Sequence, residues 1–270
     1  QLDDSWTGVF SPQSLTMALE LAMNGADETA LTAMREALKN ELPLEELNLN
    51  NGRLIKTLNG SKGVSIANAL FANNTCKMKD EFVKTAADYY RAGLGVLDFK
   101  DEKKTVKIMN DWISENTNGK IKDLIDSLSP DSQMMLINAV SLDLDWETEF
   151  EANSTGKASF NGLKKTIEAD MMHMERLFEG YAETSDGQLL KLPYKNNEYD
   201  MLIALPKEGT TPKAFISKLL QNGLGSVAFA EKNGTLALPK IDIETKLNMN
   251  DILKAMGMQV ILLTGDNQAT

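Results

Sequence analysis

The chain has 270 residues, and 28 Lys and Arg against 39 Asp and Glu give it a formal net charge of −11. That length supplies one large domain or two small ones with ample apolar material for a core, while the acidic balance disfavours a general phosphate-binding surface and so nucleic acid as a partner. No apolar run reaches the roughly 18 residues that a membrane span needs, and a lone thiol, Cys76, excludes an internal disulfide and any Cys-x-x-Cys site.

Gln1–Gly8 is polar and lacks a basic start, so no signal peptide is expected there, and the missing initiating Met suggests a processed or partial chain whose true N-terminus lies elsewhere. Pro12 opens a helix over Gln13–Asn24, with Leu15, Ala18, Leu19, Ala22 and Met23 at helical spacing. Asn24-Gly25 stops it. Asp27 caps a second helix to about Leu38, striped by Leu31, Met34, Ala37 and Leu38. A third helix falls between Leu44 and Leu58. Val64–Phe71 alternates as a strand. Lys79–Arg91 reads as a helix, Val96–Phe99 as a short strand, and Lys104–Glu115 as an amphipathic helix broken by Asn118-Gly119. Met134–Trp146 has no Pro or Gly and reads as one strand, far longer than the usual 5–6 residues or so. Its first half is apolar on both faces, which predicts burial between layers. Short strands follow at Gly180–Glu183, Gln188–Tyr194 and Asp200–Leu205, joined by the turn signals Asp186-Gly187 and Asn196-Asn197. Pro212–Gln221 is helical, Thr235–Ile243 alternates as a strand, and Asn250–Met256 forms a helix stopped by Gly257. Helices first and then a mixture of strands and helices favours an α+β class over regular βαβ winding.

Catalytic chemistry finds little support. His173, the single histidine, sits among methionines and is read as a packed or sheet-edge residue rather than a general base for Cys76 or a serine. One His and one Cys leave too few soft ligands for zinc. Gly93-x-Gly95 and Gly223-x-Gly225 lack the third glycine of a dinucleotide site. Asp143, Asp145, Glu147 and Glu149 alternate and would line one strand face about 6.6–6.8 Å apart if the strand continued, but like charges in a row more often mean a solvated face than a calcium site. The expectation is therefore no enzyme, no cofactor and no metal. Asn59, Asn73, Asn153 and Asn233 head Asn-x-Ser/Thr triplets, which would carry glycans only in a eukaryotic secretory protein. Met-richness, acidity and the lone Cys lean towards a bacterial source.

Four segments share a pattern. Val9-Phe10-Ser11-Pro12-x-Ser14 with Asn24-Gly25-Ala26, then Asn110-Asp111-Trp112-Ile113 through Thr117, Gly119, Lys120 and Ile121, then Asn138-Ala139-Val140 leading to Trp146, then Leu238-Pro239-Lys240 followed by Leu247 and Leu253, resemble in order and spacing the motifs of the serpins. The resemblance runs from about Val9 to Met258. It implies a large central sheet, two smaller sheets and eight or nine helices in a single domain over 1–270, incomplete at both ends and stopping before the reactive loop.

The resemblance also implies an activity without catalysis: a loop is offered as bait to a serine or cysteine protease, and after cleavage it enters the main sheet as a new strand and traps the acyl-enzyme. Ser11, Ser14 and Asn138 match the family's shutter, and Trp146 and Lys240 match its breach, although Ser14 also suits a helix cap and Lys240 a solvated strand end. The acidic stretch Ser141–Asp145 departs from the aromatic and basic residues common before the breach tryptophan. The reactive bond lies outside the chain. A non-inhibitory carrier, chaperone or storage protein is the alternative reading. The remaining expectations are a secreted or cell-surface monomer, associated with its own C-terminal fragment if the protein is cleaved.

Overall fold

The computed structural model describes residues 8–9, 11–195, 197–243, 245, 253 and 256. The chain divides into two compact units, one of Phe10–Asp143 with Lys246–Thr270 and one of Gln1–Val9 with Leu144–Thr245. The helix expected at Asn250–Met256, the motif residues Phe10 and Leu247 and the connector residue Asn196 lie outside the described residues, apart from Leu253 and Met256.

In the first unit three helices precede a sheet: α1 (Pro12–Met23), α2 (Glu28–Leu38) and α3 (Leu44–Gly60). Ser11 caps α1 by accepting from the Ser14 N–H at 3.1 Å, and Asp27 caps α2 through Ala30 at 2.8 Å. Then come β1 (Val64–Asn73), α4 (Asp80–Asp88), β2 (Gly93–Leu97), α5 (Glu102–Asn116) and β3 (Met134–Leu142). The strand order is β2-β1-β3, with β2 parallel and β3 antiparallel to β1.

Both faces of β1 are covered. Ile66 and Leu70 pack with Met17 and Leu21 of α1, Ile55 of α3, and Phe82, Ala86 and Tyr90. Ala69 and Phe71 point the other way, into Phe99, Met109, Ile113, Leu128 and Ile137. Each of these large side chains contributes roughly 1.5–3 kcal/mol on burial. Trp112 stands edge-on to Phe71 with ring centroids 6.2 Å apart.

Several boundaries differ from the sequence expectation, and three of them have a clear local reason. α4 stops at Asp88 rather than Arg91, because Arg91 takes the left-handed conformation (φ 50°) and turns the chain into β2. β2 begins at Gly93, ahead of Val96. A Cβ at Gly93 would lie 2.8 Å from Trp112 Nε1, and one at Gly95 2.7 Å from Phe71 Cδ1, so glycines here permit close layers and do not break the strand. β3 ends at Leu142 and never reaches Trp146, since its partner β1 ends opposite it: Val64 pairs with Leu142, and the Asp143 N–H closes the ladder on the Gly63 carbonyl at 2.7 Å. β3 is half-buried along most of its length, with Ile137 and Ala139 inside, so the expected two-sided burial is only partly met.

The second unit is a five-stranded antiparallel sheet with one helix. Its elements are β4 (Thr155–Asn161), β5 (Thr166–Glu183), β6 (Gly187–Pro193), β7 (Asp200–Pro206), α6 (Pro212–Asn222) and β8 (Ala230–Pro239), ordered β4-β5-β6-β7 with β8 also paired to β5. β5 runs 18 residues, of which the sequence reading placed only the last four in a strand. Its polar-rich first half is held by β4 and by β8, and a register shift between Phe178 and Tyr181 bends it before it meets β6. β8 starts five residues and ends four residues before the expected strand, because Leu238 and Pro239 pair with Met172 and Met171 at the end of that ladder. Asp186-Gly187 makes the expected turn, with Thr184 Oγ1 accepting from both N–H groups.

Candidate functional site

The polar cluster expected at the sheet lies in the first unit. Asn138 on β3 faces Asn68 on β1 in direct register. The Asn138 Nδ2 donates to Asn68 Oδ1 at 2.7 Å, and Asn68 Nδ2 donates onward to the Tyr90 carbonyl at 2.8 Å. Met17 of α1 closes the group, its sulfur 3.6 Å from Asn138 Nδ2 and 3.9 Å from Asn68 Nδ2. Asn68 is 2 % exposed, and Asn138 Oδ1 is buried with no partner among the described residues. Two amides thus cross-link neighbouring strands where an all-apolar pair would otherwise sit.

Ser11 and Ser14 are bonded to each other at the α1 cap, and among the described residues no hydrogen bond joins either serine to Asn138. Met17, one turn past Ser14, is the side chain that connects α1 to the amide pair. Asn68 was visible in the sequence as a polar residue on an apolar stripe of β1. Its partnership with Asn138 depends on strand register and was not visible.

A second buried network went unpredicted. Glu20 of α1 is 5 % exposed, and its two oxygens accept from Asn40 at 2.9 Å and Asn51 at 2.7 Å, with no basic side chain in an ion pair among the described residues. Asn51 also reaches the Tyr90 hydroxyl at 3.3 Å, which donates to Asn48 Oδ1 at 2.9 Å, and Asn48 and Asn24 exchange reciprocal amide bonds. Burial, with the nearby Glu20 charge adding to it, pushes the Tyr90 phenol up to about 12. The network ties α1, α3 and the turn before β2 to one another.

The expected breach residues lie in the second unit. Trp146 is not in a strand. It forms an isolated antiparallel bridge with Tyr194, and the two rings stack at 4.7 Å with 9° between planes. Phe150 meets Trp146 edge-on at 6.2 Å. Backbone bonds from Glu147 to Pro193 at 3.0 Å and from Lys195 to Asp145 at 2.9 Å fix the segment. Tyr194 was missed in the sequence because nothing local marks it as a stacking partner, and burial raises its pKa. Lys240 follows β8, its N–H donating to the Asp170 carbonyl at 2.8 Å. Its exposed ammonium has no ion-pair partner among the described residues.

The four alternating carboxylates are not on a strand, since β3 ends before them. Asp143 pairs with Lys120 at 3.2 Å, Glu147 with Arg176 at 3.7 Å and Glu149 with Lys195 at 4.0 Å, so these charges are spent on cations of the protein. Among the described residues no three His, Cys, Asp or Glu side chains converge for a metal. His173 is exposed on β5, with Nδ1 3.2 Å from the Ser154 carbonyl. Of the Asn-x-Ser/Thr asparagines, Asn73 is buried and Asn59 is bonded to Ile66, while Asn153 and Asn233 are exposed. Among the described residues no helix is long and apolar enough to cross a membrane.

Comparison with known proteins agrees with this architecture. The family model for serpins, described as serine protease inhibitors, matches residues 3–269. A serpin-like protein of Thermococcus kodakarensis is 30% identical over 95% of this chain and 62% of its own length, and serpin A3-5 of Bos taurus is 30% identical over 96% and 65%. The chain therefore spans a little under two thirds of these relatives. Among solved structures, cleaved Serpin 42Da superposes with a TM-score of 0.85 at 25% identity, covering 92% of this chain and 69% of that one. Native tengpin, a thermophilic serpin, also gives 0.85, at 27% identity over 96% and 67%. With its two amide-linked strands, its long β5 and a family match over nearly every residue, the chain belongs to the serpins, the family of serine protease inhibitors.

Proposed function

We propose that this chain is the larger part of a suicide-substrate inhibitor of serine or cysteine proteases, in which a cleaved reactive loop joins the main sheet and traps the acyl-enzyme. The observation that carries the reading is the outer edge of β3. Among the described residues β3 pairs only with β1, so one edge offers main-chain donors and acceptors to a further strand. Behind that edge the Asn68–Asn138 pair supplies polar contacts that are short and directional, which suits a sheet whose strands separate and re-pair. In this reading Asn138, Asn68, Ser11 and Ser14 form the shutter, and Trp146 on Tyr194 with Lys240 forms the breach. The chain is then a portion of a single serpin domain, acting outside the cell or at its surface as a monomer.

The second reading, a non-inhibitory serpin, is favoured by the likeness to reactive-loop-cleaved human thyroxine-binding globulin, at 25% identity and a TM-score of 0.84. One experiment separates them. The whole protein is incubated with serine and cysteine proteases and run on a denaturing gel, and its melting temperature is measured before and after loop cleavage. Inhibition gives a denaturant-resistant covalent complex and a sharp rise in melting temperature. Plain cleavage with unchanged stability refutes the inhibitory reading and leaves the carrier reading.

A further inference from the structure

β1 is longer than the strand beside it. β2 covers only Ala69 to Asn73, so from Val64 to Asn68 the side of β1 facing away from β3 has no strand neighbour among the described residues. Backbone groups point alternately to the two sides of a strand. Gly63 accepts from Asp143 on the β3 side, so Ile66, three residues on, presents both its N–H and its C=O to the uncovered side. Such a pair is a template for an incoming strand.

Space does not close this edge. A cavity of about 280 Å³ opens there, lined by Asn59, Ser65, Asn68, Arg91 and Trp112 among others. Asn59, near the end of α3, closes it chemically. Its Oδ1 accepts from the Ile66 N–H at 2.7 Å, and its Nδ2 donates to the Ile66 carbonyl at 2.9 Å. One side chain thus makes the donor and acceptor pair that a neighbouring strand would make. On one flank the Val64 N–H is closed too, donating to the Ser61 carbonyl at 3.3 Å, and on the other the Asn68 side-chain amide donates to the Tyr90 carbonyl at 2.8 Å. Arg91, left-handed at φ 50°, keeps β2 from extending along β1.

We infer that Asn59 is a strand surrogate: its carboxamide plugs Ile66 on the β2 side of β1, so that an added strand enters beside β3 and not beside β1. This consequence rests on the strand-uptake reading above, but the plug itself is measured without any protease.

In the whole wild-type protein the Ile66 amide should exchange with deuterium as slowly as the paired Leu70 amide. Asn59→Ala should speed Ile66 exchange about tenfold and leave the β1–β3 ladder protected. A fluorescent peptide copying Gly93–Phe99, the parallel partner of β1, should then bind the variant saturably, restore Ile66 protection and ignore the wild type. Asn59→Asp, which keeps the acceptor and loses the donor, should keep the Ile66 amide slow. Fast Ile66 exchange in the wild type, a measurement that needs no variant, overturns the inference. So does unchanged exchange in Asn59→Ala, failure of that variant to take up the peptide, or equal uptake by the wild type. A wild type with a protected Ile66 that traps no protease refutes the inhibitory reading alone.

Discussion

Replacing Asn138 by Ala removes one side of the amide pair at the centre of the three-stranded sheet. Asn138 Nδ2 lies 2.7 Å from Asn68 Oδ1, and that acceptor sits on a residue only 2 % exposed, where water cannot take over. The lost bond costs about 0.5–1.5 kcal/mol and the stranded acceptor about 1–3 kcal/mol. Against this, the substitution also removes Asn138 Oδ1, already buried without a partner, and its desolvation cost is recovered. The net expectation is a loss of about 1–2 kcal/mol. Asn68→Ala should cost more, about 2–4 kcal/mol, because it also frees the Tyr90 carbonyl. Urea unfolding of the single and double variants gives the coupling between the two residues, expected at about 1 kcal/mol. If Asn138→Ala is as stable as wild type, or Asn138→Leu more stable, the orphaned carbonyl outweighs the bond and the argument for a stabilising polar pair fails.

Three other expectations follow from the geometry. Glu20→Leu should destabilise by about 2–4 kcal/mol in denaturant titration, because the Asn51 and Asn40 amides lose a charged acceptor, while Glu20→Gln should cost about 1 kcal/mol as one amide turns over. Tyr90 should be among the last tyrosines to ionise when absorbance near 295 nm is followed with pH. Its folded pKa of about 12 exceeds the ordinary 10.0, so the unfolded chain releases this proton first. Its contribution to stability is full below pH 10 and disappears as pH climbs towards 12, and a tyrosine signal complete by pH 11 in the folded protein would contradict it. Gly187→Ala should cost about 3 kcal/mol or block folding of the second unit, since the new Cβ would collide with the Leu205 carbonyl oxygen and lie 2.8 Å from the Phe215 ring. A soluble variant with an unchanged melting temperature would show that this corner yields.

The first half of the chain was the more legible. α1 and α2 announce themselves through Pro12, Asp27 and clean apolar stripes; Asp27 caps α2 as expected, while α1 is capped by Ser11 and not by Ser14, which donates its N–H to that cap. β5 was largely invisible, because Thr166–Met174 mixes Glu, Asp and His with methionines and is a strand only through its pairing with β4 and β8. The end of β3 was misread for the same reason: Asp143–Trp146 has the alternation of a strand, but the partner strand has run out. Asn138, which pairs with Asn68, was singled out through a familiar motif. Tyr194 and Glu20 carry no local signature and matter through residues distant in sequence, as Glu20 does through Asn51, while Asn68 shows only as a polar residue on an apolar stripe and Asn59 matters through Ile66, seven residues on.

Sequence alone determined the family, the α+β class, the helix starts and the scarcity of catalytic side chains, because caps, turn residues and apolar periodicity act within a few residues of one another. Tertiary structure alone decided which strands pair, in what register, and which edges stay open. Those choices set the partner of each buried polar group. A carboxamide facing Asn68 becomes a cross-strand link only after segments 70 residues apart have come within about 3 Å, and that of Asn59, seven residues before Ile66, becomes an edge plug only because no strand among the described residues covers that side of β1.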